Sequence, residues 1–296
     1  MRSAAIILTL AIEAGMAMSL PRFLGRPSAD SHCTRALLEE VTDRYNAAQS
    51  TGEIEWLQKL LDPNAVYIEN EKAADLKNPN STLRRALRVD RTHSIYDLTQ
   101  CATFTETIAS NPSDPWVIAA QIRLTDGKIT KIDRIAITTG DWQFNATRTL
   151  HYAIMDNWGF IPAAARDSRE SLQAAADAYF NMLGNHSLPV PWGYPCRRLE
   201  GGAITGSGMA NDTCFIDIPP NSTMKAPNRR YVIDESVGAV SMLLEFGAFA
   251  NAPDSHQFRI EAGKLKRIHA FTYCEKKPNC GFDPAQVPSL GPDPGF

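Results

Sequence analysis

Apolar residues recur every three to four positions between residues 33 and 49. Leu37, Leu38, Val41, Tyr45 and Ala48 mark one face of an amphipathic helix there. Ser50-Thr51-Gly52 ends that helix, and a second helix is predicted over 54–61, stopped by Asp62-Pro63-Asn64. The period then falls to two. A short strand is predicted over 65–68, and residues 72–93 are polar with no clear period. Further strands are expected over 94–104, 116–124 and 128–138, the last two joined by the Asp126-Gly127 turn. The order then repeats. Leu172, Ala175, Ala176, Tyr179 and Leu183 stripe a helix over 168–183, and a Pro- and Gly-rich stretch occupies 189–196. Strands follow near 230–234, 239–246, 255–261 and 264–273, with residues 158–166 as the linker between the halves.

The recurrence extends to the residues themselves. Residues 121–133 align without a gap on residues 257–269, an offset of 136, with Gln, Arg, Gly and Lys repeated identically and apolar positions kept apolar. That spacing is too long for a solenoid unit and predicts two copies of one domain. Helices followed by a run of hairpins define an α+β domain with helices on one face of a sheet. The boundaries expected are 33–155 and 167–283, with a disordered Pro- and Gly-rich tail at 284–296.

Composition narrows the class. A chain of 296 residues with a net charge of −3 has room for two domains and no electrostatic footprint for nucleic acid. Residues 1–19 have the form of a secretory signal peptide: Arg2, then apolar residues 4–10, then small residues at Ala14, Gly15, Ala17 and Ser19, with Glu13 interrupting. No later stretch is long and apolar enough to span a bilayer. Six cysteines with no zinc spacing favour disulfides in an oxidising compartment. Six cysteines allow 15 pairings; proximity within each copy favours Cys33 with Cys101, and Cys274 and Cys280 could close a short loop, leaving Cys196 with Cys214. Five N-x-[ST] sequons, at Asn80, Asn145, Asn185, Asn211 and Asn221, complete the expectation of a secreted glycoprotein.

Helix, short helix, Tyr67-Ile-Glu-Asn70 and a meander resemble the NTF2-like (SnoaL-like) cone, in which a curved antiparallel sheet wraps helices around a pocket. The second copy is similar to a group of fungal secreted proteins of largely unassigned function. The segments that carry this are Pro191-Trp192-Gly193, Cys196-Arg-Arg-Leu-Glu-Gly-Gly202, Arg230-Tyr-Val-Ile-Asp-Glu235 and Pro253-Asp-Ser-His-Gln-Phe-Arg259. The fold hosts dehydratases, isomerases, cyclases and binding modules, so the resemblance implies fold more than reaction. Some similar proteins promote hetero-Diels–Alder coupling in tropolone–sesquiterpenoid pathways.

Candidate chemistry concentrates in the second copy. A two-residue turn at Ala262-Gly263 pairs Glu261 with Lys264. In regular register it sets His256 opposite His269, Phe258 opposite Arg267 and Ile260 opposite Leu265, with Phe271 on the same face. The same count sets Ala120 opposite Asp133 in the first copy, which lacks the histidines. Two imidazoles on an apolar face are candidates for general acid and base, or else hydrogen-bonded structural groups. Asp234 is a candidate to orient a histidine, or a solvated turn residue beside Glu235. Arg259 is a candidate anchor for an anionic group, or a partner of Glu261, and Glu200 is a further candidate acid. Trp192, Tyr231, Phe258 and Phe271 are candidate pocket walls.

There is no G-x-S-x-G elbow, P-loop, H-E-x-x-H or dinucleotide fingerprint, so no cofactor or metal is implied. The function expected is a cofactor-independent lyase, isomerase or cyclase that dehydrates or cyclises a small apolar metabolite. The alternatives are a secreted carbohydrate-active lyase or hydrolase and a non-catalytic ligand-binding protein. Monomer and homodimer are both compatible with the sequence.

Overall fold

The computed structural model describes residues 33–206, 209–215 and 224–283, together with 285, 287 and 290. The expected signal segment, the Asn221 sequon and most of the expected tail lie outside them.

The first copy opens with α1 (Arg35–Thr51), capped by the Thr34 hydroxyl at its start and by left-handed Gly52 at its end. The second helix expected at 54–61 is only a single 3-10 turn, Ile54–Trp56. Strand β1 (Leu61–Glu69) begins before the Asp62-Pro63-Asn64 stop and runs through it. Then come β2 (Lys72–Ala74), β3 (Arg91–Asp97), β4 (Ala102–Ala109), β5 (Trp116–Thr125) and β6 (Lys128–Thr138). The single strand expected over 94–104 is therefore a hairpin, turning at 98–101 without Gly or Pro. Helix α2 (Ala146–Ala153) follows, capped by Asn145.

The second copy has α3 (Arg169–Gly184), β7 (Trp192–Glu200), β8 (Ala203–Thr205), β9 (Arg230–Asp234), β10 (Ala239–Phe246), β11 (Ala252–Glu261) and β12 (Lys264–Thr272). The Pro-rich stretch thus enters a strand. Both sheets have six strands in the same order, β2-β1-β6-β5-β4-β3 and β8-β7-β12-β11-β10-β9. The meander pairs are antiparallel, whereas β1 joins β6, and β7 joins β12, in parallel. Each sheet packs its helix on one face. In the first copy Leu38, Val41 and Tyr45 of α1 meet Ile122 and Ile132, and in the second Leu172, Tyr179 and Phe180 of α3 meet Phe258 and Ile268. The three expected disulfides are formed. Asn80, Asn185 and Asn211 are exposed, while Asn145 is half-buried as the α2 cap.

The faces turned away from α1 and α3 pack against each other. Phe104, Val117 and Ile135 of the first sheet share one apolar cluster with Val232, Leu243 and Phe271 of the second. The edge strands β3 and β9 meet with reciprocal bonds. The Asp97 carboxylate accepts from the Ile233 amide at 3.0 Å and from the Arg169 guanidinium at 2.8 and 2.7 Å. The Asp234 carboxylate accepts from the Tyr96 amide at 3.0 Å and from Arg35 at 3.0 Å. Arg35 and Arg169 are the first residues of α1 and α3, so each copy sends the same residue to the other's edge strand. A bare strand edge is thereby covered on both sides.

Asp97 is fully buried, and removing one member of such a pair strands the other charge. Asp97→Ala is expected to cost about 3–5 kcal/mol in a urea melt. Arg88→Ala, which breaks an exposed pair with Asp90, is expected to cost under about 1 kcal/mol.

Candidate functional site

The two copies differ most tellingly on one strand. Where β5 has Ile118 and Ala120, β11 has Asp254 and His256 at the same offset of 136. Residues two apart on a strand share a face, and in β11 Asp254, His256, Phe258 and Ile260 all turn toward α3. Asp254 Oδ1 lies 2.5 Å from His256 Nδ1, and Asp254 Oδ2 accepts from the Thr272 hydroxyl at 2.6 Å. A carboxylate accepts only, so it fixes the ring proton on Nδ1 and leaves Nε2 as the exchangeable nitrogen. Around the ring stand Phe180 (centroids 4.7 Å apart), Tyr179 (5.6 Å), Phe258 (5.9 Å, stacked) and Phe246 (6.3 Å). The dyad therefore sits in an aromatic interior, with Asp254 fully buried and His256 4% exposed.

Beside it, the Tyr179 hydroxyl is 3.5 Å from the Arg198 guanidinium, and Arg198 lies 3.3 Å from Glu200. Burial raises the Tyr179 pKa, so the hydroxyl stays protonated. Glu200 also accepts from the Trp142 indole at 2.7 Å. The first cone is filled differently. Arg134, fully buried, lies against Gln49 and Tyr67 with the Tyr45 ring 5.6 Å away. At the corresponding place in the second sheet stands Ala270, which leaves that interior to the histidine dyad.

His256 and His269 do not face each other. The Ala262-Gly263 turn pairs Glu261 with Lys264 and Ile260 with Leu265 as expected, but a bulge at Lys266 then shifts the register by one. His256 is opposite Ala270, His269 opposite Gln257, and Phe258 opposite Ile268. One residue of slip turns every later side chain to the other face. The first copy carries the same bulge at Thr130, so Asp133 is opposite Gln121 and Ala120 opposite Arg134.

His269 and Phe271 consequently face the other copy. His269 Nδ1 lies 2.7 Å from Glu106 of β4, and its Nε2 lies 2.9 Å from Asp156, between α2 and the linker. With a carboxylate on each nitrogen the ring is held as an imidazolium. Burial alone would lower its pKa, but Glu106 and Asp156 outweigh that and raise it to about 9. Burial likewise works against ionised Glu106 and Asp156, yet His269, with Arg91 on one side and Arg197 on the other, brings both down to about 2. Next to them His93 of β3 is pushed down to about 4, chiefly by burial, and stays neutral. His269 is thus a charged link between the copies, saturated by its partners.

Asp234 orients no histidine; it caps the turn at Ser236 and binds Arg35 and Tyr96 across the interface. Arg259 is not free for an anion, since it binds Glu261 at 2.9 Å and the carbonyls of Gly159 and Val237. Trp192 packs edge-on to Tyr179, and Tyr231 donates to Asp177 at 2.7 Å, both beside the second cone's core. Phe258 lines the dyad, whereas Phe271 belongs to the interface cluster. Asp254, Tyr179 and Arg198 were not singled out from the sequence. Asp254 was findable, because Asp-x-His on a strand puts both on one face and the first copy has apolar residues there. Among the described residues no group of His, Cys, Asp and Glu forms a metal cluster.

Residues 165–272 match the family described as a domain of unknown function, DUF8021. No curated protein matches the chain. Solved structures similar to it include a putative isomerase from Rhodopseudomonas palustris, 15% identical with a TM-score of 0.28, covering 36% of this chain and 92% of that one. Another is IdmH, a putative polyketide cyclase from Streptomyces antibioticus, 13% identical with a TM-score of 0.26, covering 33% and 90%. A de novo designed NTF2 fold protein, NT-9, is 19% identical with a TM-score of 0.28, covering 36% and 88%.

The two shifted histidines of the interface set opposite limbs of the stability profile. His269, raised in the fold, contributes stability that is complete below its unfolded value near 6.5 and is lost as pH rises through about 9. His93, depressed in the fold, lets the unfolded state take up a proton first, so stability falls as pH drops from about 6.5 through 4. Melting temperature is expected to peak near pH 6.5. His269→Gln should flatten the alkaline limb, and His93→Gln the acid limb, in thermal scans from pH 4 to 10.

Proposed function

We propose that the second copy is an acid–base catalyst of the lyase, isomerase or cyclase type, acting on a small, largely apolar metabolite within its cone. The observation that carries this is the buried Asp254–His256 contact inside an aromatic interior. A histidine oriented by a carboxylate and surrounded by apolar rings suits proton removal or delivery. His256 would move the proton at Nε2. The Tyr179 hydroxyl, next to Arg198, would donate to oxygen where negative charge develops. Phe180, Phe246 and Phe258 would exclude water and hold the substrate in a reactive pose.

Loss of water from a hydroxymethyl group, followed by cyclisation of hetero-Diels–Alder type, is the finer form of this reading and rests on the sequence resemblance. In this reading His269, Arg259 and Asp234 have no part in the proton transfer: His269 and Asp234 bind the other copy, and Arg259 binds Glu261 and the carbonyls of Gly159 and Val237. The N-terminal copy, whose cone is occupied by Arg134, serves as the scaffold on which the second sheet is supported.

Product profiling tests the reading. The protein is incubated with a hydroxymethyl tropolone and a sesquiterpene polyene, with oligosaccharides in parallel. His256→Ala is expected to lower turnover by a factor on the order of 10²–10⁴, and Asp254→Asn by a smaller factor, with both proteins folded. Turnover unaffected by either substitution would reject the dyad. Cleavage of oligosaccharides would favour the carbohydrate-active class, and no turnover of either substrate class a ligand-binding role.

A further inference from the structure

A second site follows from a different part of the molecule. Where the two copies and the linker meet there is a cavity of about 390 Å³, lined among others by Arg35, Arg91, His93, Tyr96, Trp158 and Phe160. That is within the roughly 300–1,000 Å³ of small-molecule sites. Its walls are aromatic planes: His93 lies 4.9 Å from Trp158, and the Arg35 guanidinium stacks 4.8 Å from the Tyr96 ring and 5.4 Å from that of Phe160. Phe160 is 70% exposed at this site.

The hydrogen-bonding balance of the lining is uneven. Its two buried carboxylates are saturated. Asp156 accepts from Arg197, Arg267 and His269, and Asp234 from Arg35, Ser236 and the Tyr96 amide. The third, Glu39, is half exposed beside Arg35. Donors, by contrast, are in surplus. Trp158 Nε1 is buried without a hydrogen-bond partner among the described residues, as is His93 Nε2, which in the neutral ring donates in one tautomer and accepts in the other. Arg91 uses one terminal nitrogen on Glu106, and the guanidinium has further N–H groups. An indole N–H only donates, so it needs an acceptor that the described residues do not supply.

Surplus donors and two guanidinium groups beside flat apolar walls select a ligand that is planar and carries a negatively charged acceptor. We propose that this cavity binds a small aromatic carboxylate, its ring against Trp158 and Phe160 and its oxygens within reach of Arg35, Arg91 and the Trp158 N–H. The site needs both copies, because its walls come from α1, β3, the linker and the end of β9. It is separate from the cone that holds His256.

Calorimetric titration of the whole protein with 2-naphthoate, and with its uncharged amide as comparator, tests this. The carboxylate is expected to bind one site at least tenfold more tightly than the amide. Trp158→Phe, which keeps the ring and removes the N–H, should weaken it severalfold. Glu39→Gln, which removes an exposed negative charge, should strengthen it, and His256→Ala should leave it unchanged. Arg35→Gln should weaken it at least tenfold; because Arg35 also binds Asp234, its melting temperature is measured alongside. Equal binding of acid and amide, no binding of either, or affinity unmoved by both Trp158→Phe and Glu39→Gln would overturn the proposal. Loss of binding in His256→Ala would overturn it too, by moving the ligand into the cone. Because turnover is read with other substrates, the carboxylate site and the catalytic reading fail independently.

Discussion

The rest of the structure depends on burying two sheet faces against each other. Each copy packs its long helix, α1 or α3, on one side of its sheet, and the other side, which in the first copy also meets α2, is as apolar as a core, from Phe104 and Ile135 in one sheet to Leu243 and Phe271 in the other. Apart, the two would expose a continuous hydrophobic surface of the kind that drives association. Joined, they form one interior, and β4 and β10 become buried along nearly their whole length. The reciprocal Asp97 and Asp234 contacts then set how the sheets are aligned. Their directional bonds to backbone amides fix position in a way that apolar contact alone does not.

This arrangement separates two kinds of polar group that look alike in sequence. His269, Glu106 and Asp156 are buried titratable residues, and so are His256 and Asp254. The first three complete one another's charges and leave nothing for a substrate. In the second pair, the carboxylate, itself held by the Thr272 hydroxyl, accounts for one side of the imidazole and the aromatic rings surround the rest. Saturation, more than burial, sets the two clusters apart.

Much of the architecture could be read before the structure. The 136-residue repeat predicted two copies, the helical stripes of Leu38–Tyr45 and Leu172–Tyr179 located both main helices, and proximity paired all six cysteines. The misreadings have specific causes. Residues 98–101 turn without Gly or Pro, so β3 and β4 were merged. Asp62-Pro63-Asn64 lies inside β1, where its pairing with β6 is interrupted and proline is tolerated. The histidine pairing failed on one bulged residue. A clue was present, since Leu265 and Ile268 are both apolar core residues three apart, as are Ile129 and Ile132, and a regular strand cannot turn both to one face. The partners of His269 were beyond sequence reasoning, because Glu106 and Asp156 lie more than a hundred positions away and come from the other copy and the segment that follows its last helix.

The alternation along β11 divides one strand between two environments. Asp254, His256 and Phe258 address the cone, while Ser255, Gln257 and Arg259 address the opposite copy and the linker. Substitutions at the first set alter what the cone holds and leave the join between the halves intact. Those at the second must be accommodated by residues encoded far upstream. Between the copies the even positions differ in chemical kind, Ile118 and Ala120 against Asp254 and His256, whereas at the seam-facing positions Gln121 and Arg123 recur as Gln257 and Arg259.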